Sequence, residues 1–360
     1  MLGRSPGLRI RRATRDDFFA VEAWIKRDCR ALIYHSPIFS HFLKACVGGE
    51  PAMWLAERNG ELQGVLPWFT KRHPDFGAVI NSLPWYGSHG GCLAADDDAR
   101  AALLDIFRNE AAAPDVLSAT LILSPYEQDR LELYDRILSP TVLDHRLGQI
   151  SSLPAAGTDL EQRLECMISQ KTRNLVRKSL KQGFTEVVTD DDDAWRFLHR
   201  THVENMSAVG GRAKPFDHFE ALQATLPDRR LSLAVLDGEP VAALLLLHFH
   251  RTVEYIAPVI RVEHRSRQPL SFLIWQAMID AVNRNFAWWN WGGTWVEQTS
   301  LHHFKAGWGG VDHPYTYLVI ASNNGIHRLE QGGDEVFAAF PYYYIYPRSA
   351  LPAPPAAWEA

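Results

Sequence analysis

The Asp237-Gly238 step, set between two apolar runs, constrains this 360-residue chain more than any other feature. Asp-Gly between strand-like segments is a tight hairpin signal, because both residues tolerate positive φ. Residues 231–236 read as the strand before it. Residues 241–247 form an unbroken apolar run, too short to cross a bilayer and suited to a central strand. Arg251-Thr252 reads as a second, polar turn, and residues 253–257 as a third strand. The spacing after Pro269 predicts a helix, with Leu270, Leu273, Ile274, Ala277, Met278, Ala281 and Val282 on one face. A strand at 287–291 follows, stopped by Gly292-Gly293. A short helix at 301–308 and a last strand at 315–321 complete the stretch.

The first third of the chain has a similar order. Residues 8–13 read as a strand, 14–17 as a helix start with acids in its first turn, and 18–31 as the helix. Residues 40–47 suit a second short helix. Asn59-Gly60 between 53–57 and 62–69 marks a hairpin with a type I′ turn. Residues 79–83 are a strand running into 84–93, a loop with three glycines. A helix at 96–113, capped by its aspartates, leads to a strand at 117–123. Residues 145–153 read as the strand that closes the first domain, and 154–157 as the linker.

The second domain then starts over. Residues 160–182 read as one long helix ended by Gly183. Leu164, Ile168 and Leu175 share a face, and Lys171 falls among them. Arg173, Arg177 and Lys181 form a stripe beside it. A strand at 184–188, a helix at 190–209, a basic glycine loop at 210–215 that contains Arg212, and a helix at 216–226 lead back to the hairpin. Residues 330–340 suit a last helix, 342–346 a terminal strand or a groove wall, and 352–355 a disordered end. The predicted division is therefore 1–155, 156–340 and a tail at 341–360.

Composition narrows the function classes. Hydrophobic residues are 46% and charged residues 22%, with a net charge of −5 and a pI near 6.3. No global field draws the chain to DNA or to a membrane, so any such binding needs a local patch. The twelve tryptophans either fill cores or line an acceptor groove. Cys29, Cys46, Cys92 and Cys166 lack zinc-ligand spacing, and no metal is expected. Reduced thiols point to a cytoplasmic protein. Arg4, Arg9, Arg11, Arg12 and Arg15 precede no apolar core, so no secretory signal is expected. No segment reaches the ~20 apolar residues of a membrane span.

The Asp237-Gly238 hairpin, Tyr255, the Pro269 helix, 291–294 and 304–309 together resemble the second half of a GNAT acyltransferase. More narrowly, they resemble the Fem-type (FemAB-like) branch, the peptidoglycan bridge-forming aminoacyltransferases, with related BioF-type and GNAT-like acetyltransferases. The aromatic–glycine loop 81–91 and the basic helix from Lys171 to Gly183 resemble the same branch. The fold implied is α/β (α+β): two tandem GNAT-like domains, each a mostly antiparallel mixed sheet flanked by helices. The activity implied is transfer of an acetyl or aminoacyl group to an amine or hydroxyl. The acceptor would be a small molecule or a glycan- or lipid-linked compound of the cell envelope, a polysaccharide or a secondary metabolite. The donor would be acyl-CoA (acetyl-CoA) or aminoacyl-tRNA. A binding module without catalysis, in envelope or polysaccharide assembly, is the rival from another class.

Such a transfer needs a proton acceptor, donors for the developing oxyanion and a positioned donor substrate. The resemblance implies that Phe304 and Lys305 line the donor channel, with the ammonium of Lys305 stabilising charge. A salt-bridged helix lysine is the plain alternative. Glu254 and Tyr255 are adjacent on a strand and face opposite ways; the family pattern favours Tyr255 in the cleft. With a turn at Arg251-Thr252, His248 pairs across from Tyr255 and becomes a candidate base, as do His302 and His303. Ordinary GNAT enzymes hold coenzyme A with a glycine-rich loop. Here residues 261–269 contain no glycine, so Arg261, Arg265 and Arg267 would contact phosphate through side chains. Gly292 and Gly293 border that donor site. Lys171, Arg173, Arg177 and Arg212 are candidates for acceptor phosphates or tRNA, unless they are a solvated face. Tyr86, Gly90 and Gly91 are acceptor-site candidates, unless their loop only turns the chain.

Overall fold

The computed structural model of the chain describes residues 7–87, 89–294 and 298–351. Arg4, Ser88 of the glycine loop and the proline-rich end at 352–355 lie outside the described residues. Two compact units form, Met1–Arg146 with Pro314–Ala360, and Leu147–His313.

The first unit carries β1 (Leu8–Arg12), α1 (Phe18–Ile25), α2 (Pro37–Val47), β2 (Glu50–Arg58), β3 (Glu61–His73), β4 (Gly77–Asn81), the short β5 (Leu93–Ala94), α3 (Asp97–Ala111), β6 (Val116–Leu123) and α4 (Leu131–Leu138). Strands β1 to β4 pair antiparallel in sequence order, and β4 pairs parallel with β6. Asn59 and Gly60 have φ of 55° and 83°, as the predicted type I′ turn demands. Helix α3 starts where its aspartates predict, with the Asp96 carboxylate accepting from Ala99 N. Its Leu103 and Phe107 pack on Leu66, Trp68 and Leu121 of the sheet.

The chain then continues through β7 (Val142–Ser152), α5 (Leu160–Met167), α6 (Gln170–Ser179), β8 (Thr185–Val188), α7 (Asp192–Ser207), α8 (Phe216–Thr225), β9 (Arg229–Leu236), β10 (Glu239–Phe249), β11 (Thr252–Ile260), α9 (Pro269–Asn283), β12 (Trp288–Thr294), α10 (Thr299–Gly307), β13 (Val311–Ile320) and α11 (Asn323–Ala339). In the second unit β8 to β11 pair antiparallel, β11 pairs parallel with β12, and β12 pairs antiparallel with β7. The first unit closes the same way, with β13 antiparallel to β6. Each unit is thus a mostly antiparallel mixed sheet flanked by helices. In the second unit α9 seats Leu273, Ala277 and Met278 against Leu244, Leu246 and Val253, as its periodicity predicts.

The closing strands are exchanged. Strand β7 follows β6 in the chain but pairs with β12; β13 follows β12 but pairs with β6. The borders expected at 155 and 340 assign each closing strand to the domain that precedes it, whereas the compact units divide at 146/147 and 313/314. A strand's pattern marks it as a strand and leaves its partner open.

Four local expectations are corrected. The helix at 160–182 is two helices, because Ile168 is extended and Ser169 caps α6 by accepting from Thr172 N. The second meander turn is His250-Arg251, with His250 at φ 51°. His248 therefore pairs with Val253, while Tyr255 pairs with Leu246 two rungs on in the same register, just before a bulge at Leu245/Leu246. The last helix starts at Asn323 rather than at 330. Residues 342–346 form no strand; there the Asn81 side-chain amide pairs both ways with the Tyr344 backbone, at 2.8 Å each.

Candidate active site

The second unit holds a place where two parallel neighbours part. Strands β11 and β12 pair over three rungs, Thr252↔Trp288 to Glu254↔Asn290. Beyond the last rung β11 runs on to Ile260, whereas β12 stays with β7, its partner from Trp288↔Ser152 onward, through a register shift to Gly293↔Gly148 and Thr294↔Leu147. Gly292, at φ 73°, supplies the left-handed bend. Paired backbone gives way here to carbonyls and amides that need other partners.

Lys305, from the last turn of α10, supplies one. Its Nζ donates to Gly293 O at 2.8 Å, Gly292 O at 3.3 Å and Thr294 Oγ1 at 2.7 Å. The residue is 3% exposed, and burial lowers its pKa from 10.5 to about 8. Thr294 Oγ1 in turn donates to Gln149 Oε1 at 3.4 Å. Lys305 is thus a cation fixed at the bend and held by dipoles, and among the described residues no carboxylate pairs with its ammonium.

The two faces of the last rung differ. On one, Tyr255 lies 4.9 Å from the Trp291 ring, and Trp291 meets Trp289, Phe304 and Trp308. Trp289 and Trp291 are buried, whereas Phe304 stays 36% exposed. The predicted Tyr255, Phe304 and Lys305 therefore gather around one tryptophan-rich bend, and burial pushes the Tyr255 phenol well up. On the other face Asn290 Nδ2 donates to Glu254 Oε2 at 2.8 Å, and Asn290 Oδ1 accepts from Gly292 N at 2.9 Å. Because Oδ1 takes a backbone N–H, Nδ2 must face the carboxylate. Glu254 is 1% exposed. Sequence reasoning passed over this pair, although a glutamate in an apolar strand is a signal in itself.

At the far end of β11 the glycine-free loop coils into a 3-10 turn over Val262–Arg267. His264 N and Gln268 N donate to Arg261 O and Arg265 O, so these amides are spent within the loop. What remains is side chains. Asn205 of α7 pairs with Ile260 N and O at 3.0 and 2.9 Å and fixes α7 beside the strand end. Between them opens a cavity of about 550 Å³, lined by Arg200, Glu204, Asn205, Arg261, Glu263 and Arg265 among others. Arg261 also lies over the Phe197 ring at 5.4 Å. Arg267 is exposed and outside this lining. Arg200 was missed because helix α7 gave no sign that it faces the loop.

Other expected residues have local employment. Lys171 is exposed, since the break at Ile168 resets the helical phase. Arg173 donates to Glu165 O and Ile168 O at 2.8 and 2.7 Å, closing the end of α5, and Arg177 pairs with Glu165 at 2.8 Å. Arg212 is exposed in the loop after α7. His248 is buried on Phe286, 3.3 Å from Asp228 and 3.2 Å from Arg284. His302 pairs with Asp312 at 2.8 Å and His303 with Thr299 O at 2.7 Å. In the first unit Tyr86 packs on Phe42. A Cβ at Gly91, where φ is 100°, would lie 2.0 Å from Ile122 O, and one at Gly90 2.8 Å from the Leu83 Cβ. These glycines admit the chain's own backbone and side chains. Among the described residues no cluster of three or more His, Cys, Asp or Glu could hold a metal, and no helix is long and apolar enough to cross a membrane.

Residues 168–305 match the family model described as "Acetyltransferase (GNAT) domain", a span that holds the parted strands, the arginine cavity and Lys305. No curated protein matches the sequence. Among solved structures, FemX is similar over 89% of this chain and 99% of its own, with a TM-score of 0.72 and 16% identity. The C-terminal domain of a putative lysylphosphatidylglycerol synthetase from Agrobacterium fabrum matches 88% of this chain and 96% of its own, with a TM-score of 0.51 and 14% identity. A tandem GNAT protein from the clavulanic acid biosynthesis pathway matches 87% and 98%, with a TM-score of 0.51 and 13% identity. At these identities the likeness is one of fold.

Proposed function

Taking the chain as a protein of the Fem-type GNAT fold, we propose that it is an acyltransferase. An amine or hydroxyl attacks an activated acyl carbonyl held where β11 and β12 part. The carbonyl π electrons move onto oxygen, the fixed cation of Lys305 stabilises that oxyanion, and collapse expels the donor's leaving group. The attacking group's proton must leave, and Glu254, oriented by Asn290, is a buried carboxylate on the last rung that β11 and β12 share. The observation that carries this reading is the Lys305 ammonium, buried at a glycine bend on backbone dipoles. Tyr255, Trp291 and Phe304 supply an apolar wall for the acyl chain.

The arginine cavity supports a phosphate-bearing donor of the acyl-CoA class. Three guanidiniums can bind a pyrophosphate through side chains where amides are spent. Arg173 and Arg177, which a tRNA donor would recruit, already serve the α5 end and Glu165. The acceptor is a small or glycan- or lipid-linked amine or alcohol.

Release of free thiol from acetyl-CoA, followed with a panel of amines and amino sugars, tests this. We expect turnover, and a rise in donor KM of roughly tenfold for Arg261→Gln with Arg265→Gln, with kcat little changed. Turnover with unaltered donor KM would remove the arginine site. Turnover with aminoacyl-tRNA and no thioester would replace the donor, and none with either would favour the binding module.

A further inference from the structure

Helix α1 of the first unit presents a patch that acyl transfer does not use. Phe19 is 87% exposed and Phe18 40%. The residues α1 buries are Val21 and Ile25. At 100° per residue Phe19 stands about 200° and about 240° from them, on the solvent pole of the helix. It is therefore no overflow from the core edge. Ala20 and Ala23 beside it are also exposed.

The charges around this ridge are unequal. Asp17 is held by Arg11, Glu22 by Lys26 and Asp28 by Arg30. Arg15 and Arg27, exposed before and after the helix, have no ion-pair partner among the described residues, and Asp16 is the remaining exposed acid there. An aromatic tip between unspent guanidiniums matches an interface with apolar depth and negative headgroups. A second copy of the chain fits less well, because apposed ridges would bring Arg15 and Arg27 of two molecules together. The chain's net charge of −5 makes any such attraction local.

We propose that the Phe18-Phe19 end of α1, flanked by Arg15 and Arg27, seats this protein on an anionic lipid surface. The phenyl rings enter the headgroup boundary and the arginines meet lipid phosphates. This stands whether or not the acyl-transfer reading holds, because it is measured without substrate.

The test is co-sedimentation of the full chain with vesicles of phosphatidylglycerol and phosphatidylcholine, and with phosphatidylcholine alone. Binding is expected to the mixed vesicles and to weaken with salt. Phe19→Ser should lower the partition coefficient roughly tenfold or more, and Arg15→Gln with Arg27→Gln about fivefold per arginine. Thermal melts keep the comparison to folded variants; these positions are on the surface, so unchanged melting is expected. No binding of the wild type, equal binding to both vesicles, or full binding by Phe19→Ser would overturn the proposal. So would a dimer in light scattering that Phe19→Ser converts to a monomer, since the second copy would then cover the patch.

Discussion

Lys305 is a charge kept where a charge is costly. Burial favours its neutral form and brings the pKa from 10.5 down to about 8. The cost of the buried ammonium is thus present in full below about pH 8. It is relieved as pH rises from about 8 towards 10.5, where the unfolded chain still binds the proton and the folded chain has lost it. Across that window the wild type should gain melting temperature relative to Lys305→Met, whose thioether does not titrate. Paired melts from pH 7 to 10 measure the difference, in which other titrating groups largely cancel. A flat difference would mean that the lysine is not held in the buried setting described. Acyl transfer that needs the ammonium should fall over the same range, so stability and activity should move in opposite directions.

Elements were legible from sequence where local chemistry decides them. Asn59-Gly60 and Asp237-Gly238 gave both hairpins, since their φ values of 53° to 85° suit these residues. Pro269 gave the start of α9 and Asp96 that of α3. Errors came where one residue overrides a periodic pattern. Ser169 caps a new helix inside an apparently continuous one, which moved Lys171 off the face that periodicity gave it. His250 takes the left-handed position of a turn expected one residue later, and that shift removed His248 from Tyr255. The candidate site was legible in part. Lys305, Phe304, Tyr255 and the glycine bend came from motif resemblance and converge in the fold. Arg200, Gln149 and the Glu254–Asn290 pair come from separate elements, and only tertiary pairing brings such residues to one another.

At the scale of the whole molecule, the exchange of closing strands sets what can fold alone. A fragment of residues 1–155 keeps β6 without β13, so a buried central strand would end as an open edge. That fragment should lack a cooperative melt while the full chain has one; a sharp transition from it would contradict the pairing. The same exchange brings Gln149 of β7 to Thr294, and so ties the setting of Lys305 to a strand more than a hundred residues earlier in the chain. Both the fold and the chemistry come together at that ammonium. The most direct measurement is therefore kcat for acyl transfer by Lys305→Met against the wild type, at saturating donor near pH 7. The substitution should lower kcat about 10²- to 10³-fold with donor KM within a few-fold. An unchanged kcat in a folded variant would contradict that role of the ammonium.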